Sequence, residues 1–188
     1  MSKSPDLNVI ARGRFVRLVN DNGWEYAERE RGHDVVAIVA VTDQDELILT
    51  EQYRPAVKRR VIDIPAGLAG DTEDFDGESS ATAAARELEE ETGYIATSFR
   101  ELCTVPTSPG LTSETVTIYL AEGLTKHGEG GGDESESIVV HTVALHKLAV
   151  WLRARERESM LIDPKVFAGV WLREQAVDSS KSCDPVEE

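Results

Sequence analysis

Cysteine is nearly absent from the chain. Its 188 residues hold two, Cys103 and Cys183, too few for a disulfide framework, which predicts a reducing compartment. Long hydrophobic runs are missing too. No stretch reaches the length of a membrane span, and Met1–Arg14 has no apolar core of the kind a secretory signal needs. These two absences predict a cytoplasmic protein with no membrane partner. Positive charge is scarce, with 20 Lys and Arg against 35 Asp and Glu, a formal net charge of −15. Nucleic-acid backbones demand clustered cations, so a nucleic-acid partner is excluded. A small phosphorylated substrate is not, provided a cation and local arginines neutralise it. No internal repeat is visible.

With 40% hydrophobic residues the chain can bury one sizeable core. Its most informative stretch is Glu78 to Tyr94, ESSATAAARELEEETGY. Helical spacing puts Glu87, Glu90 and Glu91 on one face. Ala81, Ala84, Ala85 and Leu88 form the opposite, apolar stripe. Gly93 is placed to cap the helix C-terminus. Like charges at this spacing repel by tenths of a kcal/mol per pair, roughly. Two readings follow. One is a solvated acidic face. The other is a site for a hard divalent cation, Mg²⁺ or Mn²⁺, which carboxylate oxygens suit. The stretch has neither Cys nor His, which argues against zinc.

Glu78, then Arg86-Glu87-Leu88-Glu89-Glu90-Glu91-Thr92-Gly93, resembles the box that defines the Nudix hydrolase superfamily. The match holds at each defining position from Glu78 onward. Upstream it departs: Thr72 stands where the family has a glycine. Gly67, in Pro65-Ala66-Gly67-Leu68, is the natural substitute and leaves an acidic insertion between Ala69 and Gly77.

Residues 7–20 carry interleaved apolar and charged side chains, as an exposed strand would. Asp21-Asn22-Gly23 is a turn, and Trp24 to Arg29 continue as a second strand of a hairpin. Residues 34–41, DVVAIVAV, form an apolar run that predicts a central buried strand. Further strands are expected at 46–52, 61–64, 98–104, 114–121 and 137–145. The glycine-rich residues 123–137 predict a mobile segment. A helix is expected over 146–158, with Leu148, Trp151 and Leu152 inward. Asp163-Pro164 starts a last helix, running to about Ala176 and burying Phe167, Val170 and Trp171. This order predicts an α/β fold with a mixed sheet between helices. It fits the α/β/α sandwich the resemblance implies, with an N-terminal antiparallel extension. The expected division is an extension over residues 1–33, the Nudix domain over 34–177 and a polar tail over 178–188.

Other segments resemble the ADP-ribose pyrophosphatase branch, which cleaves nucleoside diphosphate sugars. In Gln52-Tyr53-Arg54-Pro55 the branch uses the arginine on the diphosphate, a role that falls to Arg54; a guanidinium fork suits phosphate oxygens. In Ile64-Pro65-Ala66-Gly67-Leu68 the resemblance implies an Ala66 carbonyl on the metal, with Leu68 beside the substrate. Pro109, sixteen residues after Gly93, sits where the branch has a substrate-side proline. Asp133-Glu134-Ser135-Glu136 matches an acidic loop that carries the general base, either Glu136 or Glu134. Trp24 matches an aromatic that stacks on adenine, with Phe15 a second candidate.

The resemblance implies a magnesium site of Glu87, Glu91 and Ala66, with Glu90 sharing a second ion, Arg86 orienting the glutamates and Glu78 positioning the loop and helix. It implies hydrolysis of ADP-ribose to AMP and ribose 5-phosphate. GDP-mannose or a broad range of sugar nucleotides is the alternative substrate reading. A nucleotide sensor without turnover is the alternative outside the enzyme class. The branch also implies a homodimer with exchanged N-terminal strands.

Overall fold

The computed structural model describes residues 7–30, 34–70, 77–132 and 137–181. Three strands, β1 (Leu7–Arg12), β2 (Val16–Asp21) and β3 (Trp24–Arg29), form an antiparallel sheet in that order. The single strand expected over 7–20 is in fact two. The chain reverses after Arg12, where the Gly13 N–H donates to the Val16 carbonyl at 2.8 Å. The turn at Asn22-Gly23 is as expected. Both residues have positive φ, 52° and 92°, the geometry that matches the twist of paired strands.

A mixed sheet follows, ordered β7 (Ala66–Ala69), β4 (Asp34–Ala40), β10 (Thr115–Glu122) and β9 (Ser98–Pro106). The apolar run is central, parallel to β10 and antiparallel to β7. A second mixed sheet is ordered β12 (Val139–Ala144), β5 (Glu46–Arg54), β6 (Arg59–Asp63) and β13 (Leu161–Ile162). A short pair joins β8 (Tyr94–Ile95) to β11 (Thr125–Lys126).

The alternation of a strand divides the core in two. Val36, Ile38 and Ala40 of β4 face helix α1 (Ser80–Thr92), meeting Ala83, Ala84 and Leu88. Ala37 and Val39 face the other way, into a cluster with Leu47, Leu49, Ile62, Ile118 and Val166. Helices α2 (Leu145–Arg157) and α3 (Pro164–Lys181) cover that second cluster. The result is the expected α/β/α arrangement.

Three local expectations change. In α1 the buried residues are Ala83, Ala84, Leu88, Glu91 and Thr92, while Ala81 and Ala85 are exposed. The helix is turned so that the Glu91 carboxylate reaches the Ala66 N–H at 3.0 Å. In α3, Val166 and Gly169 are inside, but Phe167 and Trp171 are 56% and 60% exposed. A small face is what lets this helix close on the sheet: a Cβ on Gly169 would lie 2.8 Å from Val39 Cγ2. The glycine-rich segment is pinned, not loose, over residues 127–132. The N–H groups of His127 and Gly128 donate to the Gly93 carbonyl at 2.8 and 3.0 Å. Those of Gly131 and Gly132 donate to Glu91 and Glu90 at 2.8 and 3.0 Å. The carbonyls at the end of α1 need partners, and this segment supplies them.

Candidate active site

Helix α1 is framed by its caps. Ser79 Oγ accepts the Thr82 N–H at 3.2 Å. Gly93, at φ 70°, closes the other end by donating to the Glu89 carbonyl. Positive φ is cheap only for glycine, so the helix stops there and the glutamate turn is its last.

Over the last two turns the side chains diverge. Glu91 is 5% exposed and bonded to the Ala66 backbone. Glu87 lies over Gly67 so closely that a Cβ there would sit 1.9 Å from its carboxyl carbon. Gly67 is therefore fixed by the glutamate it faces. Arg86 gathers the rest. Its guanidinium lies 2.9 Å from both Glu87 and Glu90 and 3.3 Å from Glu78, and it donates to the Leu68 carbonyl at 3.0 Å. Burial works against that charge, but Glu78, Glu87 and Glu90 outweigh it and hold the guanidinium more firmly protonated than in water. Glu78 lies just before the N-cap, not on the helix, and reaches the acidic face through Arg86.

A cavity of about 630 Å³ opens beside this turn, a size that suits a small-molecule site. Ala66, Gly67, Leu68, Glu87, Glu91 and Arg54 line it. Five of the predicted site residues thus share one wall system. Glu90 and Arg86 stand beside it, Glu90 with a half-exposed side chain. Trp24 and Pro109 are exposed and do not line the cavity; Trp24 is 72% exposed. Glu134 and Glu136 lie outside the described residues.

Two carboxylates, of Glu87 and Glu91, line this wall beside Ala66. That set fits a hard divalent cation by type. Among the described residues no three His, Cys, Asp or Glu side chains converge as a preformed cluster. The glutamates instead engage Arg86 and the Ala66 amide.

Two charged groups in the cavity, a pair and a triad, have no counterpart in the sequence motifs. Arg29 of β3 donates to Glu114 at 2.7 Å, and both line the cavity. The N-terminal sheet reaches it because the Ala27 N–H and carbonyl pair with Leu111 and Ser113. The second is Lys165 of α3, held between Asp63 and Asp163 at 2.9 and 2.8 Å. Asp63 carried a signal, a lone acid between Ile62 and Ile64 on a buried strand. Asp163 is the expected helix cap: its carboxylate accepts the Lys165 N–H at 2.9 Å. Burial pushes the Asp63 carboxyl up to about 6, against the pull of Lys165. Burial lowers the Lys165 ammonium, but the two aspartates outweigh it and raise it overall.

Comparison with known proteins agrees with this geometry. Residues 32–162 match the family model for the NUDIX domain. A Bacillus methanolicus protein named methanol dehydrogenase activator is 32% identical over 168 residues, 86% of each chain. The ADP-ribose pyrophosphatase of Bacillus subtilis is 38% identical over 122 residues, covering 64% of this chain and 63% of its own. That of Mycobacterium tuberculosis is 39% identical over 102 residues, 54% and 47% of the two chains. A solved structure described as an ADP compounds hydrolase superposes with a TM-score of 0.68 at 23% identity, covering 94% of both chains; at that identity it speaks for the fold. Glutamates on the last two turns of a capped helix, in contact with an Ala-Gly strand at the edge of one cavity, agree with the family match: the chain belongs to the Nudix hydrolases.

Proposed function

We propose that the chain hydrolyses the diphosphate of a nucleoside diphosphate sugar, ADP-ribose first, with Mg²⁺ as the cation. One observation carries this reading: Glu87, Glu91, the Ala66 strand and Arg54 line a single cavity. Glu87, Glu91 and the Ala66 carbonyl would hold the ion, and Glu90 would share a second. Bound there, the ion offsets charge on the diphosphate and makes a water more acidic. Arg54 orients the diphosphate through its planar fork. Arg86 keeps the glutamates in place. Glu136 or Glu134 takes the proton of the attacking water. Gly132, the residue before that acidic stretch, donates its N–H to the Glu90 carbonyl at 3.0 Å. Water oxygen joins one phosphorus, the bridging oxygen leaves with the other, and ADP-ribose gives AMP and ribose 5-phosphate. Leu68 and Pro109 are assigned to substrate contact, and Trp24 to stacking on the base from the other subunit of a homodimer with exchanged N-terminal strands. A cytoplasmic location fits the free, half-buried Cys103.

The test is a panel of sugar nucleotides with Mg²⁺, with released product quantified after phosphatase coupling. ADP-ribose should turn over fastest. A profile led by GDP-mannose, or a broad one, would keep the chemistry and overturn the substrate. Glu91→Gln should lower the ADP-ribose rate by about two orders of magnitude. Full activity in that variant would remove the glutamate helix from the mechanism.

A second reading rests on the relative named methanol dehydrogenase activator, which matches 86% of the chain. It gives the same site a role in raising a dehydrogenase's activity. Adding the protein to a methanol dehydrogenase assay, beside Glu91→Gln, tests it.

A further inference from the structure

The cavity holds a charged cluster that the diphosphate chemistry does not use. Lys165 Nζ lies 2.9 Å from Asp63 Oδ2 and 2.8 Å from Asp163 Oδ1. Asp63 Oδ1 accepts the Ile64 N–H at 2.8 Å, and Asp163 Oδ1 also accepts the Lys165 N–H. Asp63 is 7% exposed. Starting α3 requires only the Asp163 cap. It does not require a lysine turned back onto a buried aspartate, an arrangement that carries a desolvation cost.

Hydrogen-bond inventory shows what the cluster has left to offer. An ammonium has three donors, and two are spent on the aspartates. Asp163 Oδ2 has no hydrogen-bond partner among the described residues. One donor and one acceptor therefore remain together on residues that line the cavity. A hydroxyl is the group that uses both at once. A phosphate is not, because two carboxylates and one ammonium leave the cluster net negative. The nearby lining is apolar, with Ala56, Val57, Val61, Leu161 and Ile162, and suits the C–H faces of a sugar.

We propose that Asp163 and Lys165, positioned by Asp63, form the subsite for the hydroxylated half of the substrate, a pentose or similar polyol carried on the diphosphate. The cluster thereby selects a diphosphate that ends in a sugar over one that ends in phosphate or a simple alkyl group. This rests on the diphosphate-hydrolase reading and supplies its specificity.

The test compares ADP-ribose with the methyl ester of ADP, which keeps the diphosphate and loses the sugar. Affinities are measured by calorimetry in EDTA, so no turnover is needed. The wild type should favour ADP-ribose by about tenfold or more, since a site built to bond hydroxyls rejects a ligand lacking them. Asp163→Asn and Lys165→Met should each bring the ratio close to one. Asparagine caps a helix about as well as aspartate, so α3 should persist, which circular dichroism checks. A wild-type ratio near one, or a ratio kept by both variants, overturns the subsite. The rate with Mg²⁺ is read separately. A wild type that discriminates but does not hydrolyse sinks the enzyme reading and leaves the subsite standing. One that hydrolyses both esters equally does the reverse.

Discussion

At the scale of single residues, close packing around the glutamates separates activity from stability. Gly67→Ala would drive a methyl group into the Glu87 carboxylate, whose carbon lies 1.9 Å from the Cβ position. The carboxylate is the free end of a flexible side chain, so it moves and the fold survives. We expect a loss in kcat of roughly tenfold or more, with a thermal midpoint close to wild type. A collapsed midpoint would mean that Gly67 serves the fold. Asp63 makes a prediction in pH. Its folded pKa of about 6 lies above the ordinary 3.8, so the folded state holds the proton more tightly than the unfolded one. Its contribution to stability is complete below pH 4 and is lost as pH rises through 6. Wild type should therefore gain on Asp63→Asn as pH falls from 7 toward 4, by about 3 kcal/mol at most. Parallel unfolding curves across that range would show that Asp63 does not titrate there.

At the scale of elements, the end of α1 and the glycine segment act as one unit. Gly130 has φ 70°, and a Cβ there would lie 2.4 Å from the Thr92 carbonyl carbon and 2.6 Å from the Glu91 oxygen. Both are backbone atoms and cannot rotate away. Gly130→Ala should release the segment, at a cost of about 1–3 kcal/mol. Amide exchange at Gly131 and Gly132 should quicken, and activity should fall because the Glu90 and Glu91 carbonyls lose the partners that hold the end of the helix. Unchanged exchange at those two amides would show that the anchor lies elsewhere. The helix itself was legible in sequence. Gly93 and the glutamate spacing give its C-terminal end and its acidic face from local rules alone, while the Ser79 cap at the other end comes from the structure. Its rotation was not, because a bond between Glu91 and a strand twenty-five residues earlier turns Ala83 inward and leaves Ala81 and Ala85 outside.

At the scale of the whole molecule, the three-stranded N-terminal sheet leaves Val9, Ile10, Phe15, Val16, Leu18 and Trp24 exposed. So much apolar surface on one small sheet is unusual in a monomer. It supports the proposed homodimer, in which Trp24, away from the cavity of its own chain, would reach that of its partner. Light scattering at micromolar concentration should give twice the chain mass, and Leu18→Asp should halve it. A monomeric wild type would end both the dimer and the stacking role of Trp24. No helix among the described residues is long and apolar enough to cross a membrane.

The sequence by itself determined that DVVAIVAV is a central buried strand, where the glutamate helix ends at Gly93 and the chemistry its oxygens favour. Periodicity, caps and charge spacing are local, and each is written within a few turns or one strand. The tertiary structure alone decided what meets that helix. Lys165 reaches Asp63 across about a hundred residues of chain, Arg29 reaches Glu114 across eighty-five, and Phe167 and Trp171 face outward because Gly169 must touch Val39. Beyond the lone acid at Asp63 such pairings have no local signal, since either partner alone reads as an ordinary strand acid, surface cation or helix aromatic. Only the closing of two sheets around one cavity gives them a common place.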